Sequence, residues 1–217
     1  YGAPLVARLK QETLHDQDWE RLWLERFQPM KFGERLWICP DGQRPPQDDA
    51  AILIDLDPGL AFGTGTHATT ALCLEWLDRH APRQQSVLDY GCGSGILAVA
   101  ALKLGAAQVW GVDIDRQALW ASGENAERNG VRAGLRTGLP GELPDQVFDL
   151  LLANILANPL IELAPRLAGL VRPDGWLVLS GILSAQADAV RAAYAPWFSL
   201  SGPVERDGWV RLHGKRN

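Results

Sequence analysis

The chain has 217 residues, of which 47% are hydrophobic and 22% charged, and its formal net charge is -5. This composition suits one large domain, alone or with a small attachment. Because no segment is rich in Lys and Arg, direct binding to a nucleic acid backbone is not expected. No apolar run reaches the roughly 20 residues that a membrane-spanning helix needs.

The three cysteines, Cys39, Cys73 and Cys92, lack the CxxC spacing that is typical of metal sites. The sequence therefore predicts no zinc or other metal site and no disulfide framework. A reducing compartment, the cytoplasm, is the simplest interpretation.

The first part of the chain contains one predicted helix and one predicted strand. TLHD, residues 13–16, has the form of a capping box, and apolar residues follow it at helical spacing as far as Phe27. RLWICP, residues 35–40, is a strand candidate followed by a polar connection. Since the chain begins with Tyr1 rather than Met, we expect a fragment in which residues 1–50 link the main domain to a preceding segment.

Strands and helices alternate regularly from residue 86 onward. The predicted strands are apolar nearly throughout, as expected when both faces of a sheet are covered. They are residues 86–90, 108–113, 147–154 and 175–182, and the predicted helices are residues 96–104, 115–130, 158–170 and 184–195. This alternation predicts a doubly wound, mostly parallel sheet with helices on both faces. Arg206-Asp207-Gly208 lies between two alternating runs in the tail and predicts an antiparallel hairpin that closes the sheet.

The loop DYGCGSG, residues 89–95, follows the first of these strands. In a doubly wound sheet the ligand lies beyond the carboxyl ends of the strands, and glycines there let the backbone approach it closely. Asp113 follows the next strand, about 20 residues on, where an acid accepts hydrogen bonds from ribose hydroxyls. Together they predict a site for an adenosine-containing cofactor. The alternative is that Gly91, Gly93 and Gly95 only permit close packing of strand against helix.

Two residues indicate which cofactor this is. Ile96 stands where the dinucleotide fingerprint GxGxxG has its last glycine, and the carboxylate of Asp89 would repel a pyrophosphate. A ligand with cationic sulfonium and ammonium groups would tolerate or favour that carboxylate. The pattern therefore favours S-adenosylmethionine, and a nicotinamide-dependent oxidoreductase is the alternative.

Asn154 ends another predicted strand and faces the same crevice. Its side-chain carbonyl could accept a hydrogen bond from an incoming amine and aim the nitrogen lone pair at a methyl group. Equally, Asn154 could cap the helix that follows. No general base is identified. His67 lies in a glycine-rich segment, where an imidazole can act as a base or fix the loop by hydrogen bonds.

Four stretches closely resemble the bacterial ribosomal-protein methyltransferases of the PrmA family. They are LDPGLAFGTGTHATT (56–70), VLDYGCGSGILAVAALKLGA (87–106), GVDID (111–115) and NIL (154–156). The resemblance covers nearly the whole chain, and the stretch 56–70 is its most specific part. It implies an α/β class I methyltransferase fold, which is Rossmann-like, and S-adenosylmethionine as cofactor.

The resemblance also implies roles for individual residues. In the family the loop 56–70 closes over S-adenosylmethionine, so its methionine side would be lined by Phe62, Gly63, Thr64, Thr69 and Thr70. Gly91 and Gly93 would hold its backbone side, Asp113 its ribose, and Asn154 would stand nearest the transferable methyl as the catalytic residue. The structural alternative for this loop is an ordinary helix entry, with Thr66 or Thr69 as the cap.

The activity implied is transfer of methyl groups to lysine side chains and the N-terminal amine of ribosomal protein L11, in the large-subunit stalk base. The catalytic domain would be residues 51–217, with residues 1–50 joining it to an absent substrate-recognition domain. We therefore expect this chain alone to methylate the protein weakly or not at all. The alternatives are a class I methyltransferase acting on another protein, a small-molecule amine or RNA, and a non-catalytic cofactor-binding protein.

Overall fold

The computed structural model describes residues 28–40, 42–45, 50–56 and 67–217. The helix predicted before Phe27 lies outside these residues. So do Phe62, Gly63 and Thr64, three of the residues expected to line the cofactor site.

The described part of the chain alternates between strands and helices. The strands are β1 (Met30–Phe32), β2 (Leu36–Pro40), β3 (Ile52–Leu56), β4 (Ser86–Tyr90), β5 (Gln108–Val112), β6 (Leu135–Gly138), β7 (Phe148–Asn154), β8 (Val171–Leu183), β9 (Phe198–Leu200), β10 (Val204–Arg206) and β11 (Trp209–Arg216). The helices are α1 (Ala68–Arg79), α2 (Ile96–Lys103), α3 (Arg116–Arg128), α4 (Ala157–Glu162), α5 (Ala164–Gly169) and α6 (Ala187–Tyr194).

The main sheet has the strand order β10-β11-β8-β7-β4-β5-β6, and β9 pairs with β11. The strands from β8 to β6 are parallel to one another, whereas β11 is antiparallel to β8, β9 and β10. The order along the chain reverses between β4 and β7, which is where such sheets bind ligands. The doubly wound, mostly parallel sheet and its closing antiparallel hairpin are thereby confirmed.

Helices cover both faces of this sheet because alternate residues of its central strands are apolar on opposite sides. Val87 and Leu150 join a core formed with α1, α2 and α3. Their neighbours Leu88 and Leu151 join a second core formed with α4, α5 and α6. The central strands therefore have no polar face, and their chemistry is confined to the strand ends.

A second, small sheet of β1, β2 and β3 packs against the first core. It is fastened to α1 by Asp78, whose buried carboxylate accepts hydrogen bonds from the Glu34 N–H at 2.6 Å and from Arg35 Nε at 3.0 Å. β2 lies in the expected linking segment, residues 1–50, and β3 lies in the expected catalytic domain, residues 51–217. The parallel pairing of these two strands joins the two parts in one small sheet.

Two predicted elements differ from the structure. The single helix expected over residues 158–170 was wrong, because it is divided into α4 and α5. Pro165 lies in the first turn of α5, where its missing N–H and its ring prevent one continuous helix. The strand expected over residues 175–182 begins earlier, at Val171, with a register irregularity opposite β7.

Candidate active site

The residues singled out in the sequence lie at the carboxyl ends of β4, β5 and β7, on either side of the point where the strand order reverses. Among the described residues, no group of three or more His, Cys, Asp or Glu side chains could hold a metal ion. No helix within the described ranges has both the length and the apolar character needed to cross a membrane.

The glycine-rich loop after β4 turns sharply. Gly91, Gly93 and Gly95 have φ values of 79°, 54° and 76°, which L side chains rarely adopt. A Cβ on Gly91 would lie 2.2 Å from Ile155 Cγ2, and one on Gly95 would lie 2.9 Å from the backbone of Ser122. The close packing at Gly91 and Gly95 is therefore enough to explain why both positions are glycine, without any ligand. This supports the packing role and is compatible with a ligand beside the loop.

The amide groups of this loop are bonded within the protein. The N–H groups of Gly91 and Cys92 both donate to the Val112 carbonyl, at 2.7 and 3.0 Å, and that of Gly93 donates to Asp113 Oδ2 at 3.0 Å. The loop thus offers a ligand close approach to its backbone rather than a set of free amide donors.

Asp113 follows β5 and is held by two backbone amides. Its Oδ2 accepts the Gly93 N–H and its Oδ1 accepts the Asp115 N–H, each at 3.0 Å. A carboxylate oxygen can accept more than one hydrogen bond, so this half-buried group keeps acceptor capacity toward the crevice. The hydrogen bond from the Gly93 N–H brings two residues of the predicted cofactor site, Gly93 and Asp113, together.

Asp89, the fourth residue of β4, has a buried carboxyl group with one unpaired oxygen. Its Oδ2 accepts the Ala98 N–H of α2 at 3.0 Å, whereas Oδ1 is buried without a hydrogen-bond partner among the described residues. Burial is the main cause that raises the pKa of Asp89 to about 7; the Ala98 N–H opposes this shift and the negative charge of Asp113 adds to it. A cation placed nearby would favour the ionised form. These features fit a cofactor that carries positive charge.

Cys92 is buried in the same loop, and the Ser122 hydroxyl donates to its sulfur at 3.4 Å. Burial raises the pKa of this thiol well above its ordinary value. It is therefore a packing residue and not a nucleophile.

The first turn of α1 carries two buried threonines, Thr69 and Thr70. Its N-cap residue is His67, whose Nδ1 accepts the Thr69 N–H at 3.4 Å and lies 2.8 Å from Thr69 Oγ1. The expectation that Thr69 caps the helix was wrong, and Thr66 lies outside the described residues. The His67 ring also meets the Trp209 ring edge-on at 4.9 Å between centroids. These contacts give His67 a structural role as the cap at the start of α1.

Asn154 is the last residue of β7 and is half-buried. Its Nδ2 donates to Thr70 Oγ1 at 3.3 Å. The N-cap residue of α4 is Leu156, which makes no side-chain capping bond, so Asn154 does not cap that helix. The structure thus brings Asn154 together with Thr70, from two elements distant in the sequence.

Ser180 was missed by the sequence analysis. It is fully buried in β8 and is paired in register with Asn154. Its hydroxyl lies 3.2 Å from both the Thr69 and the Val210 carbonyl oxygens. The signal in the sequence is a single hydroxyl within the otherwise apolar run of residues 175–182.

Comparison with known proteins identifies the family. The family model for ribosomal protein L11 methyltransferase (PrmA) matches residues 5–217. The ribosomal protein L11 methyltransferase of Pseudomonas aeruginosa (strain LESB58) is 59% identical over 206 residues, which are 94% of this chain and 70% of that protein.

Solved structures agree. The crystal structure of ribosomal protein L11 methylase from Lactobacillus delbrueckii subsp. bulgaricus has a TM-score of 0.80 at 35% identity, over 88% of this chain and 100% of that one. An RNA methyltransferase from Salinibacter ruber, in complex with S-adenosyl-L-homocysteine, shares the fold with a TM-score of 0.53 at 18% identity, over 66% of this chain and 89% of that one. The predicted fold class and family are confirmed: the chain belongs to the ribosomal protein L11 methyltransferase (PrmA) family of S-adenosylmethionine-dependent enzymes.

Proposed function

We propose that this chain transfers methyl groups from S-adenosylmethionine to amines of ribosomal protein L11, at lysine side chains and the N-terminal amine, with Asn154 as the catalytic residue. The observation that carries the assignment is the position of Asn154, which ends β7 beside the reversal of strand order and donates through Nδ2 to Thr70. The amide oxygen remains as an acceptor for an amine.

The cofactor would be held by residues on both sides of the crevice. Asp113 would accept the ribose hydroxyls, and the loop at Gly91 and Gly93 would pass close to the ligand. Thr69 and Thr70 would face its methionine side, together with Phe62, Gly63 and Thr64 of the preceding segment. The unpaired buried oxygen of Asp89 supports this placement, because a cationic ligand compensates a buried carboxylate.

S-adenosylmethionine supplies an electrophilic methyl group when bound. Asn154 Oδ1 accepts an N–H of the incoming amine and turns the nitrogen lone pair toward that methyl. With the cofactor bound, the amine nitrogen would take the methyl group as the C–S bond breaks, which would leave a neutral thioether and an ammonium product. Lysine must arrive neutral although its ordinary pKa is about 10.4, so the amine must lose a proton before each transfer.

The protein substrate belongs to the ribosome, which supports a cytoplasmic location. The net charge of -5 supports recognition of L11 itself and not of nucleic acid. Residues 51–217 would form the catalytic domain, and residues 1–50 would connect it to a substrate-recognition domain, as the family resemblance implies.

Mass spectrometry of L11 incubated with S-adenosylmethionine and an excess of this chain, so that slow transfer by the chain alone is detected, tests the proposal. We expect Asn154→Ala to lower the single-turnover rate about 100-fold, since loss of alignment alone has effects of that order. Calorimetric binding of S-adenosylmethionine should change little, and NAD should not bind.

Asn158→Ala is the matched control, because Asn158 is exposed on α4, four residues from Asn154. An unchanged rate in Asn154→Ala would remove Asn154 from the mechanism. Saturable binding of NAD in place of S-adenosylmethionine would contradict the cofactor assignment.

A further inference from the structure

The orientation of the Asn154 side chain decides what it can do chemically. A carboxamide has an acceptor end, Oδ1, and a donor end, Nδ2, and rotation about χ2 exchanges them. The proposed reaction needs the acceptor end in the crevice, because an amine with a free lone pair must use an N–H to bond the side chain. The donor end in that place would compete for the lone pair itself.

In the structure the donor end is engaged by one hydroxyl. Nδ2 lies 3.3 Å from Thr70 Oγ1, and Thr70 is only 2% exposed. No described residue donates a hydrogen bond to Oδ1. The contact with Thr70 is therefore the polar contact, within the described part of the chain, that distinguishes the two ends of this amide.

Thr70 is itself held from two sides. Its backbone N–H donates to the His67 carbonyl at 3.0 Å. The carbonyl of the preceding residue, Thr69, lies 3.2 Å from the hydroxyl of Ser180, a fully buried residue. Because Ser180 is paired in register with Asn154, the strand beside Asn154 also fixes the helical turn that faces it.

We propose that Thr70 is a positioning residue for methyl transfer, which acts through Asn154 by accepting its Nδ2 hydrogen bond and so presents Oδ1 to the substrate amine. Ser180 supports this arrangement by anchoring the first turn of α1. The proposal rests on the proposed role of Asn154 and adds a function for Thr70 other than contact with the cofactor.

Single-turnover methylation of L11 tests the coupling between the two residues. Thr70→Val removes the hydroxyl and keeps the shape, and we expect it to lower the transfer rate about two- to tenfold, the effect of one ordinary hydrogen bond. The KM for L11 should stay within about twofold, and the rates are compared at saturating S-adenosylmethionine because Thr70 also faces the proposed cofactor site. Thr70→Ser should restore the rate. In an Asn154→Ala background, Thr70→Val should have no further effect.

Nuclear magnetic resonance gives a readout without activity. In protein labelled with ¹⁵N asparagine, the Asn154 side-chain NH₂ signals should move in Thr70→Val and return in Thr70→Ser. Thr69→Val, which removes the neighbouring hydroxyl beside His67, should leave them in place. Thermal melts establish that each variant folds, and Thr70→Ala removes the same hydroxyl if valine is not accommodated.

The outcomes separate the two proposals. If Asn154→Ala slows transfer and Thr70→Val does not, the positioning role is wrong and the role of Asn154 stands. If the two substitutions reduce the rate independently, Thr70 acts directly on a ligand and the positioning role is again wrong. If Asn154→Ala leaves the rate unchanged, both proposals fail together.

Discussion

Ionisation of the Asp89 carboxyl group lowers the free energy of unfolding. It is buried, one of its oxygens has no partner among the described residues, and its pKa is raised to about 7. In the unfolded chain an aspartate ionises near pH 3.9. Between those pH values the folded state keeps a proton that the unfolded state has lost. Stability must therefore fall as the pH rises from about 4 to about 7, and then level off.

Replacement of this group should remove that pH dependence. We expect Asp89→Asn, which keeps an acceptor for the Ala98 N–H, to gain stability relative to the original chain as the pH rises through this window. The gain should reach at most the order of 4 kcal/mol above pH 7, from about 1.4 kcal/mol for each unit of pKa shift. Urea unfolding from pH 4.5 to 8, without cofactor, measures it.

The control is Asp145→Asn, since Asp145 is exposed. Parallel stability profiles for Asp89→Asn and the original chain would contradict the assignment. The same residue links stability to function, because a cationic ligand that favours ionised Asp89 offsets the cost of burying it.

Among the elements, the segment after β7 is enclosed by two glycines, Gly91 in the loop after β4 and Gly181 in β8. A Cβ on Gly91 would lie 2.2 Å from the Ile155 side chain, and one on Gly181 would lie 2.2 Å from the Ile155 carbonyl oxygen. Gly181 also has a φ of 84°. Ile155, the residue after Asn154, can therefore occupy its position only because Gly91 and Gly181 have no side chains.

Gly181→Ala should displace this segment. We expect a loss of several kcal/mol of stability, because a backbone atom cannot move aside as a side chain does, and at least a tenfold slower methyl transfer from the displaced Asn154. Gly208→Ala is the matched control: its φ is 77°, yet a Cβ there meets nothing within 4 Å. It should lose only about 1–2 kcal/mol. Urea unfolding and single-turnover rates compare the two, and equal effects would show that the contact with Ile155 is unimportant.

For the molecule as a whole, sequence patterns predicted the central parallel strands best, whereas the parallel strands β3 and β6 were not predicted. β4 matches its predicted range, and β5 and β7 each differ from theirs by one residue, because buried strands are apolar on both faces and end at polar residues. Elements with mixed character were less predictable. The start of β8 contains Pro173 and Gly175, which are typical of a turn, and its irregular pairing accommodates them.

Some residues of the candidate site could be predicted from the sequence and others could not. Asp113 and Asn154 could be identified because they directly follow or end strands whose carboxyl ends must meet. Ser180 could not, because its role depends on contact with Thr69, which is 111 residues away in the sequence. His67 was noticed, but its function as a cap was assigned to threonines, which form N-caps far more often.

Cofactor binding and recognition of L11 are expected to depend on different parts of the protein. We expect the 217-residue chain to bind S-adenosylmethionine as tightly as the longer Pseudomonas aeruginosa relative, of which it spans 70%, because the crevice is built from strands of the main sheet. We expect it to methylate L11 more slowly, because we propose that the part of the relative outside this match contributes to recognition of L11. Calorimetry and initial rates at equal enzyme concentrations compare the two. Equal rates on L11 would contradict the separation.

The contacts of β11 bear on the order in which the site is assembled during synthesis. β11 pairs with β8, and its buried Arg211 donates to the Leu72 carbonyl of α1 at 2.9 Å, across 139 residues of sequence. During synthesis the amino end leaves the ribosome first, so the turn bearing Thr69 and Thr70 emerges long before the strand that anchors it. The turn that bears Thr69 and Thr70 therefore gains its anchor on β11 only after the last strand of the sheet has been synthesised.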